Sequence, residues 1–161
     1  MFWGNLAKNQ KMKTFLNYGK EYEVELKLKL KHANALNHED WRNILHITKG
    51  GNVGQFGDRI PAIFTQNGRF EIFTGISNLD NGNTNFKTEK TGLDQLINIS
   101  QRKIGGDYIF KITINGETKH EEQNNVPRNF EKVDVYISNN FHYPIDDGDI
   151  LIHHVKVYQW A

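Results

Sequence analysis

Residues 20–31 have the sequence KEYEVELKLKLK, in which charged and apolar side chains alternate without a break. Successive side chains of a β-strand point to opposite faces, so all the apolar side chains share one face and all the charged side chains share the other. A helix would scatter both sets around its circumference. The alternation therefore predicts an antiparallel sheet with one face packed against a core and the other in water.

The rest of the chain carries the same signature at shorter range. Asn67-Gly68 and Asn115-Gly116 are strong hairpin-turn signals, and helix signals are nearly absent. We predict an all-β, antiparallel two-sheet sandwich, a jelly roll, with roughly ten or more strands. The predicted strands are residues 11–16, 20–31, 42–48, 60–65, 69–74, 95–102, 108–114, 117–121, 133–137 and 150–160.

Length and composition indicate one domain over residues 1–161. The first ten residues, with Phe2 and Trp3, are expected to form an arm that packs on the sheet or on a partner chain. The net charge is +1, which argues against nucleic acid as a partner, and no apolar run is long enough to insert into a membrane. The chain has no cysteine, so disulfides and thiolate metal sites are excluded. No signal peptide is visible at the start of the sequence.

Three long connections are predicted, and they span residues 49–59, 77–91 and 139–149. Loops of this length on a rigid sheet are common places for binding residues. The middle loop concentrates amides and an acid that suit sugar hydroxyls, although the same residue types also simply form turns. The candidate ligand-binding residues are Asn78, Asp80, Asn81, Asn83, Asn85, Arg59 and Trp41, and for Trp41 a place in the core is the alternative.

The order of these features resembles the concanavalin A-like lectin/glucanase superfamily, especially its laminin-G-like jelly-roll modules. The resemblance rests on residues 98–101, 105–108 and 112–116 as central strands and on residues 133–138, 147–150 and 155–157 as closing strands. Residues 41–46 and 57–62 resemble extracellular animal modules of the same kind. The resemblance covers roughly residues 20–158, and its motifs are structural, so they imply a fold more than a function.

The resemblance implies one calcium ion at the sheet rim, with Asp58 and Asp80 as ligands, and Asp147 is a third candidate in the last loop. The alternative is that these acids cap turns through the backbone, and a hairpin turn is the better explanation of Asp147-Gly148. The seven histidines give only a weak metal signal. Neighbouring residues on a strand point to opposite faces, so His153 and His154 are not expected to chelate one ion together.

We expect a noncatalytic recognition or adhesion module that binds a glycan or an extracellular protein through its loop rim or concave sheet, with calcium as a possible aid. Its expected location is extracellular or on a cell surface. One alternative is a structural subunit of a homo-oligomer or filament. Another is a diverged glycan-cleaving enzyme of the same fold. The Glu-x-Asp-x-x-Glu strand of laminarinase-type glucanases is missing, and the only acids clustered on a strand are Glu21, Glu23 and Glu25.

Overall fold

The chain folds into two β-sheets, which we describe from a computed structural model covering residues 10–87, 94–138 and 141–160. Within these residues all regular structure is strand, which confirms the predicted all-β class. The strands are β1 (Gln10–Tyr18), β2 (Glu21–Leu30), β3 (Arg42–Thr48), β4 (Ala62–Gln66), β5 (Arg69–Ile76), β6 (Leu79–Lys87), β7 (Asp94–Ile104), β8 (Asp107–Ile114), β9 (Glu117–Gln123), β10 (Phe130–Ile137), β11 (Tyr143–Pro144) and β12 (Ile150–Trp160).

The smaller sheet, which we call sheet B, has five strands in the order β12-β2-β7-β8-β9, all paired antiparallel. In β2 every second residue is buried, from Tyr22 to Leu30, and the residues between them are only partly covered. The strand that decides the fold therefore has one packed face and one wet face, as its alternation predicts. Strand β7 repeats the same pattern beside it, with Ile97 and Ile99 in the core.

The larger sheet, sheet A, runs β1-β10-β3-β4-β5-β6, and the short β11 pairs parallel with the start of β3. Its central strands do not alternate. Six consecutive residues of β3, four of β4 and five of β5 are buried. These strands are covered on both faces, because sheet B packs on one face and loops lie over the other.

The main core lies between the sheets and is built from aliphatic side chains with a few aromatics. Sheet B contributes fully buried Leu26, Leu28 and Ile112, and sheet A contributes fully buried Ile63 and Ile137. A second, smaller group of buried residues, with Phe64 and Phe73 at its centre, lies apart from this core. Because this group lies on the outer face of sheet A, that face has buried aromatic rings, whereas the outer face of sheet B has charged side chains.

Two of the predicted loops contain strands that the sequence did not reveal. The connection predicted at residues 77–91 is a two-residue turn followed by β6, which forms the edge of sheet A beside β5. Its many asparagines are typical of loops, but main-chain pairing with β5 holds this segment in an extended conformation. The predicted loop at residues 139–149 contains β11. The predicted arm lies almost wholly outside the described residues, which begin at residue 10.

The prediction that His153 and His154 point to opposite faces is wrong. The pairing of β12 with β2 shifts register between Ile152 and His154, which is a β-bulge. Both histidines consequently reach acids on the outer face of sheet B, His153 contacting Asp94 at 2.9 Å and His154 contacting Glu25 at 2.8 Å. Across the described ranges there is no helix with the length and apolar character needed to span a membrane.

Candidate functional site

The outer face of sheet A carries a cluster of aromatic and cationic side chains, which we call the outer cluster: Trp41, His46, Arg59, Phe64 and Phe73. The ring centroids of Phe64 and Phe73 lie 5.7 Å apart with their planes almost perpendicular. Trp41 packs edge-on against both rings, at 5.9 Å and 5.5 Å. These edge-to-face distances are those that aromatic pairs favour, so the three rings form one rigid unit.

Arg59 is the polar centre of this cluster. Its guanidinium carbon lies 4.9 Å from the ring centroid of Phe64 and 4.6 Å from that of Phe73, which places the cation against two aromatic rings. Its Nε–H donates to the Asn52 carbonyl at 2.9 Å, and its two terminal nitrogens donate to the Asn52 and Asn81 side-chain oxygens, each at 3.2 Å. Burial lowers the pKa of Arg59, but these partners hold it as a cation.

His46 lies beneath the loop of residues 49–59 and is fully buried. Its Nε2 is 2.6 Å from the Asp58 carbonyl oxygen, so this nitrogen carries the hydrogen and donates it. Burial is the main reason that the pKa of His46 falls to about 4, and the nearby charge of Arg59 adds to the effect. His46 is therefore a neutral side chain at pH 7 that fastens the loop to the sheet.

An open groove of about 480 Å³ lies beside the outer cluster, where β11 meets the start of β3. Two of its walls are exposed rings, since Phe141 is 47% and Tyr143 is 62% accessible to solvent. Trp41 connects the groove to the buried rings behind it. The groove is lined by Glu39, Asp40, Trp41, Phe141, His142, Tyr143 and Pro144.

Three of the seven predicted ligand-binding residues come together at this face. Trp41 and Arg59 pack on the same two rings, and Asn81 accepts a hydrogen bond from Arg59. The guanidinium is occupied by these contacts, so Arg59 positions the surface rather than presenting a free cation. The side-chain oxygen of Asn81 is likewise occupied by its hydrogen bond from Arg59.

The other predicted ligand residues are dispersed. Asn83 shares the outer face with Asn81 but donates to the Glu71 carboxylate at 3.0 Å. Asp80 alternates with these amides along β6 and so does not share their face. Asn78 lies exposed in the turn before β6, and the side chain of Asn85 lies outside the described part of the structure. The predicted binding loop of amides is therefore an edge strand.

The three acids predicted to bind calcium lie on separate elements. Asp58 lies in the loop before β4, where its side chain accepts a hydrogen bond from the Gln55 backbone N–H at 3.0 Å. Asp80 lies on β6, and Asp147 is in the turn before β12. Among residues 10–87, 94–138 and 141–160, no three histidine, aspartate or glutamate side chains are grouped so that they could hold a metal ion. The three acids do not form one shared site.

The glutamates of β2 are engaged in surface contacts. Glu25 accepts from Lys156 and contacts His154, each at 2.8 Å, and the hydrogen bond from Lys156 is the main reason that its pKa is lowered. Glu23 accepts from Asn98 at 2.7 Å. A catalytic acid needs a raised pKa, so the lowered pKa of Glu25 argues against this role.

The outer cluster itself was only partly visible in the sequence. Phe64 and Phe73 lie in predicted strands with no feature that marks them for a site, and His46 has no ligand-like spacing around it. One signal for the cluster was present in the sequence. The apolar runs of β3, β4 and β5 are too short to be buried helices, and they lack the alternation of strands with one exposed face, so they are typical of strands covered on both faces. What covers the second face could not be read from that pattern.

No protein-family model and no curated protein sequence matches this chain. Solved structures do match its fold. One is the receptor binding domain of botulinum neurotoxin D, with a TM-score of 0.58, 19% identity, and coverage of 88% of this chain and 34% of that chain. Another is the botulinum neurotoxin serotype G binding domain, with a TM-score of 0.60, 12% identity, and coverage of 89% and 34%.

A botulinum neurotoxin C/D mosaic receptor binding domain matches with a TM-score of 0.57 and 18% identity over 89% of this chain. This chain spans about a third of the length of these structures. At such low identity the likeness is one of fold. The chain has a β-sandwich fold that also occurs in receptor-binding domains.

Proposed function

We propose that this chain is a noncatalytic recognition module that binds a protein or glycan ligand at the groove beside the outer cluster. The observation that carries this proposal is a groove with exposed aromatic walls, backed by rings and a cation that are fixed by mutual packing. Rigid aromatic side chains supply contact area at little cost in conformational entropy. The solved structures of similar fold are described as receptor-binding domains, which supports the same class of function.

The proposed fold family is the laminin-G-like jelly roll of the concanavalin A-like superfamily, and the proposed location is extracellular or on a cell surface. Calcium remains part of the proposal as an aid to ligand binding at the loop rim. The ion-paired glutamates of β2 support a noncatalytic role.

The test uses a glycan array and an array of extracellular proteins, each probed with calcium and with a chelator. Two exposed tyrosines make matched variants, Tyr143→Ala in the groove and Tyr158→Ala on the outer face of sheet B. We expect a ligand whose binding is lost in Tyr143→Ala and kept in Tyr158→Ala. A ligand that behaves in the opposite way would place the binding surface on sheet B. Silence of the wild-type protein on both arrays would refute the proposal.

A further inference from the structure

The groove beside the outer cluster has an uneven charge. Its aromatic walls are interrupted by two acids, Glu39 and Asp40, which directly precede Trp41 in the chain. Both side chains are exposed, and neither forms an ion pair with a residue in the described ranges. No lysine or arginine is among the groove-lining residues. The two acids therefore give this surface a local negative charge that is not ion-paired within the described residues. Arg59, which lies 3.4 Å from His142, makes its hydrogen bonds with Asn52 and Asn81 and not with these acids.

The histidine that lines the groove does not offset this charge. His142 lies against Phe64, with ring centroids 5.0 Å apart, and its Nε2 is 3.2 Å from the Asn52 side-chain nitrogen. That nitrogen carries only donors, so Nε2 of His142 is the acceptor and the ring is neutral. Burial lowers the pKa of His142, and the adjacent Arg59 cation lowers it further.

We propose that the groove binds a basic segment of a partner protein, with an arginine side chain held between the aromatic walls and the carboxylates of Glu39 and Asp40. This inference rests on the recognition function proposed above and selects a protein segment over a glycan. A guanidinium stacks on aromatic faces and donates paired hydrogen bonds to carboxylates, so it satisfies both features of the groove at once. A neutral sugar could donate hydroxyl hydrogen bonds to these carboxylates, but it would add no attraction between opposite charges.

The aromatic walls of the groove suit an arginine side chain. Tyr143, in β11, and Phe141, two residues before it, are exposed rings, and Trp41 is the groove ring that packs into the outer cluster. Because Trp41 is fixed by Phe64 and Phe73, a stacked cation would meet a wall that does not need to be ordered on binding. A volume of about 480 Å³ accommodates one long side chain with its flanking backbone.

The test titrates the full chain with a capped peptide Gly-Arg-Gly and with the same peptide carrying citrulline, which keeps the shape and removes the charge. Binding is followed by the indole N–H signal of Trp41 in nitrogen-proton correlation spectra and by tryptophan fluorescence. We expect saturable shifts of the Trp41 signal with the arginine peptide, weakened by added salt, and affinity lower by about tenfold for citrulline.

The double variant Glu39→Gln/Asp40→Asn is expected to lose about tenfold in affinity for the arginine peptide. The matched control Glu121→Gln/Glu122→Gln removes two exposed acids from β9 and should bind like the wild type. Equal affinity for the citrulline and arginine peptides, or no shift of the Trp41 signal, would overturn the proposal that the groove binds a cationic side chain. If a glycan on the array then bound the wild type and did not bind Tyr143→Ala, the recognition function would still hold. Failure of the arginine proposal can therefore be distinguished from failure of the recognition function.

Discussion

The outer faces of the two sheets are built in opposite ways. On sheet B the outer face is wet, and its charges meet each other across the strands, as Glu25 meets His154 and Lys156. On sheet A the outer face buries a cation and a neutral histidine among aromatic rings. An exposed ion pair is worth little, whereas a buried polar group must be fully paired or it costs free energy. The difference implies that the outer face of sheet A is the one whose shape is fixed.

The two outer faces should differ most in stability when the central ring of the outer cluster, Phe64, is removed. Phe64→Ala should lower the free energy of unfolding by about 3–5 kcal/mol, because a fully buried ring leaves a cavity behind Trp41, Phe73 and Arg59. Tyr158→Ala, on the outer face of sheet B, should cost less than about 1 kcal/mol. Urea unfolding followed by circular dichroism measures both. Equal losses would mean that the two outer faces are energetically alike.

A second test uses the pH dependence of stability. The pKa of His46 is about 4 in the folded chain and near 6.5 in an unfolded one. As pH falls from about 6.5 to about 4, the unfolded chain binds a proton that the folded chain does not, so stability is lost across this window and the loss from His46 stops below it.

The shift of the His46 pKa corresponds to about 3 kcal/mol. The measurement is the free energy of unfolding between pH 7 and pH 4 for the wild type and for His46→Gln. We expect a smaller loss in the variant, with a residual slope from His142, whose pKa is lowered by burial. Parallel curves for the two proteins would show that His46 is not buried as a neutral ring.

Each sheet has an arginine on its outer face, and replacing each one with lysine should give unequal losses of stability. Arg59→Lys should cost about 1–3 kcal/mol, because a lysine cannot serve the Asn52 and Asn81 oxygens together. Arg102→Lys on sheet B changes a contact with Glu23 at 3.5 Å and a stacking contact with the exposed ring of Trp160, and it should cost less than about 1 kcal/mol. Thermal unfolding of both variants at one pH gives the ranking. A larger loss for Arg102→Lys would contradict it.

The smallest expected effect is on the wet face itself. Glu25→Gln should reduce stability by about 0.2–1 kcal/mol at low salt, because it removes the charge paired with His154 and Lys156, whose side chains are partly covered but still reach solvent. The loss should shrink further in high salt, which screens such pairs. Denaturation at two salt concentrations checks this, and a salt-independent loss of several kcal/mol would show that β2 carries more than a surface ion pair.

The sequence predicted sheet B well, because its strands have one wet face and alternate. It predicted ten strands near their observed positions and missed β6 and β11, whose amides, aromatics and proline are common in loops. For sheet A, the apolar runs of β3 to β5 predicted strands but not the second covered face. Trp41, Arg59 and Asn81 were chosen from the sequence for their chemistry, and only the three-dimensional pairing of β4, β5 and β6 brings them together. The β-bulge at His153 is set by pairing with β2, and no local signal marks it.

Arg59 is a buried cation packed against two rings, and it fixes the surface behind the groove. The most direct measurement is the side-chain Nε–H signal of Arg59 in a nitrogen-proton correlation spectrum, assigned by its loss in Arg59→Lys. We predict a sharp signal whose hydrogen exchanges slowly with water, because this N–H donates to the Asn52 carbonyl. We also predict that the rings of Phe64 and Phe73 shift the resonance. An Arg59 signal that exchanges as fast as that of an exposed arginine, with no ring shift, would contradict the account.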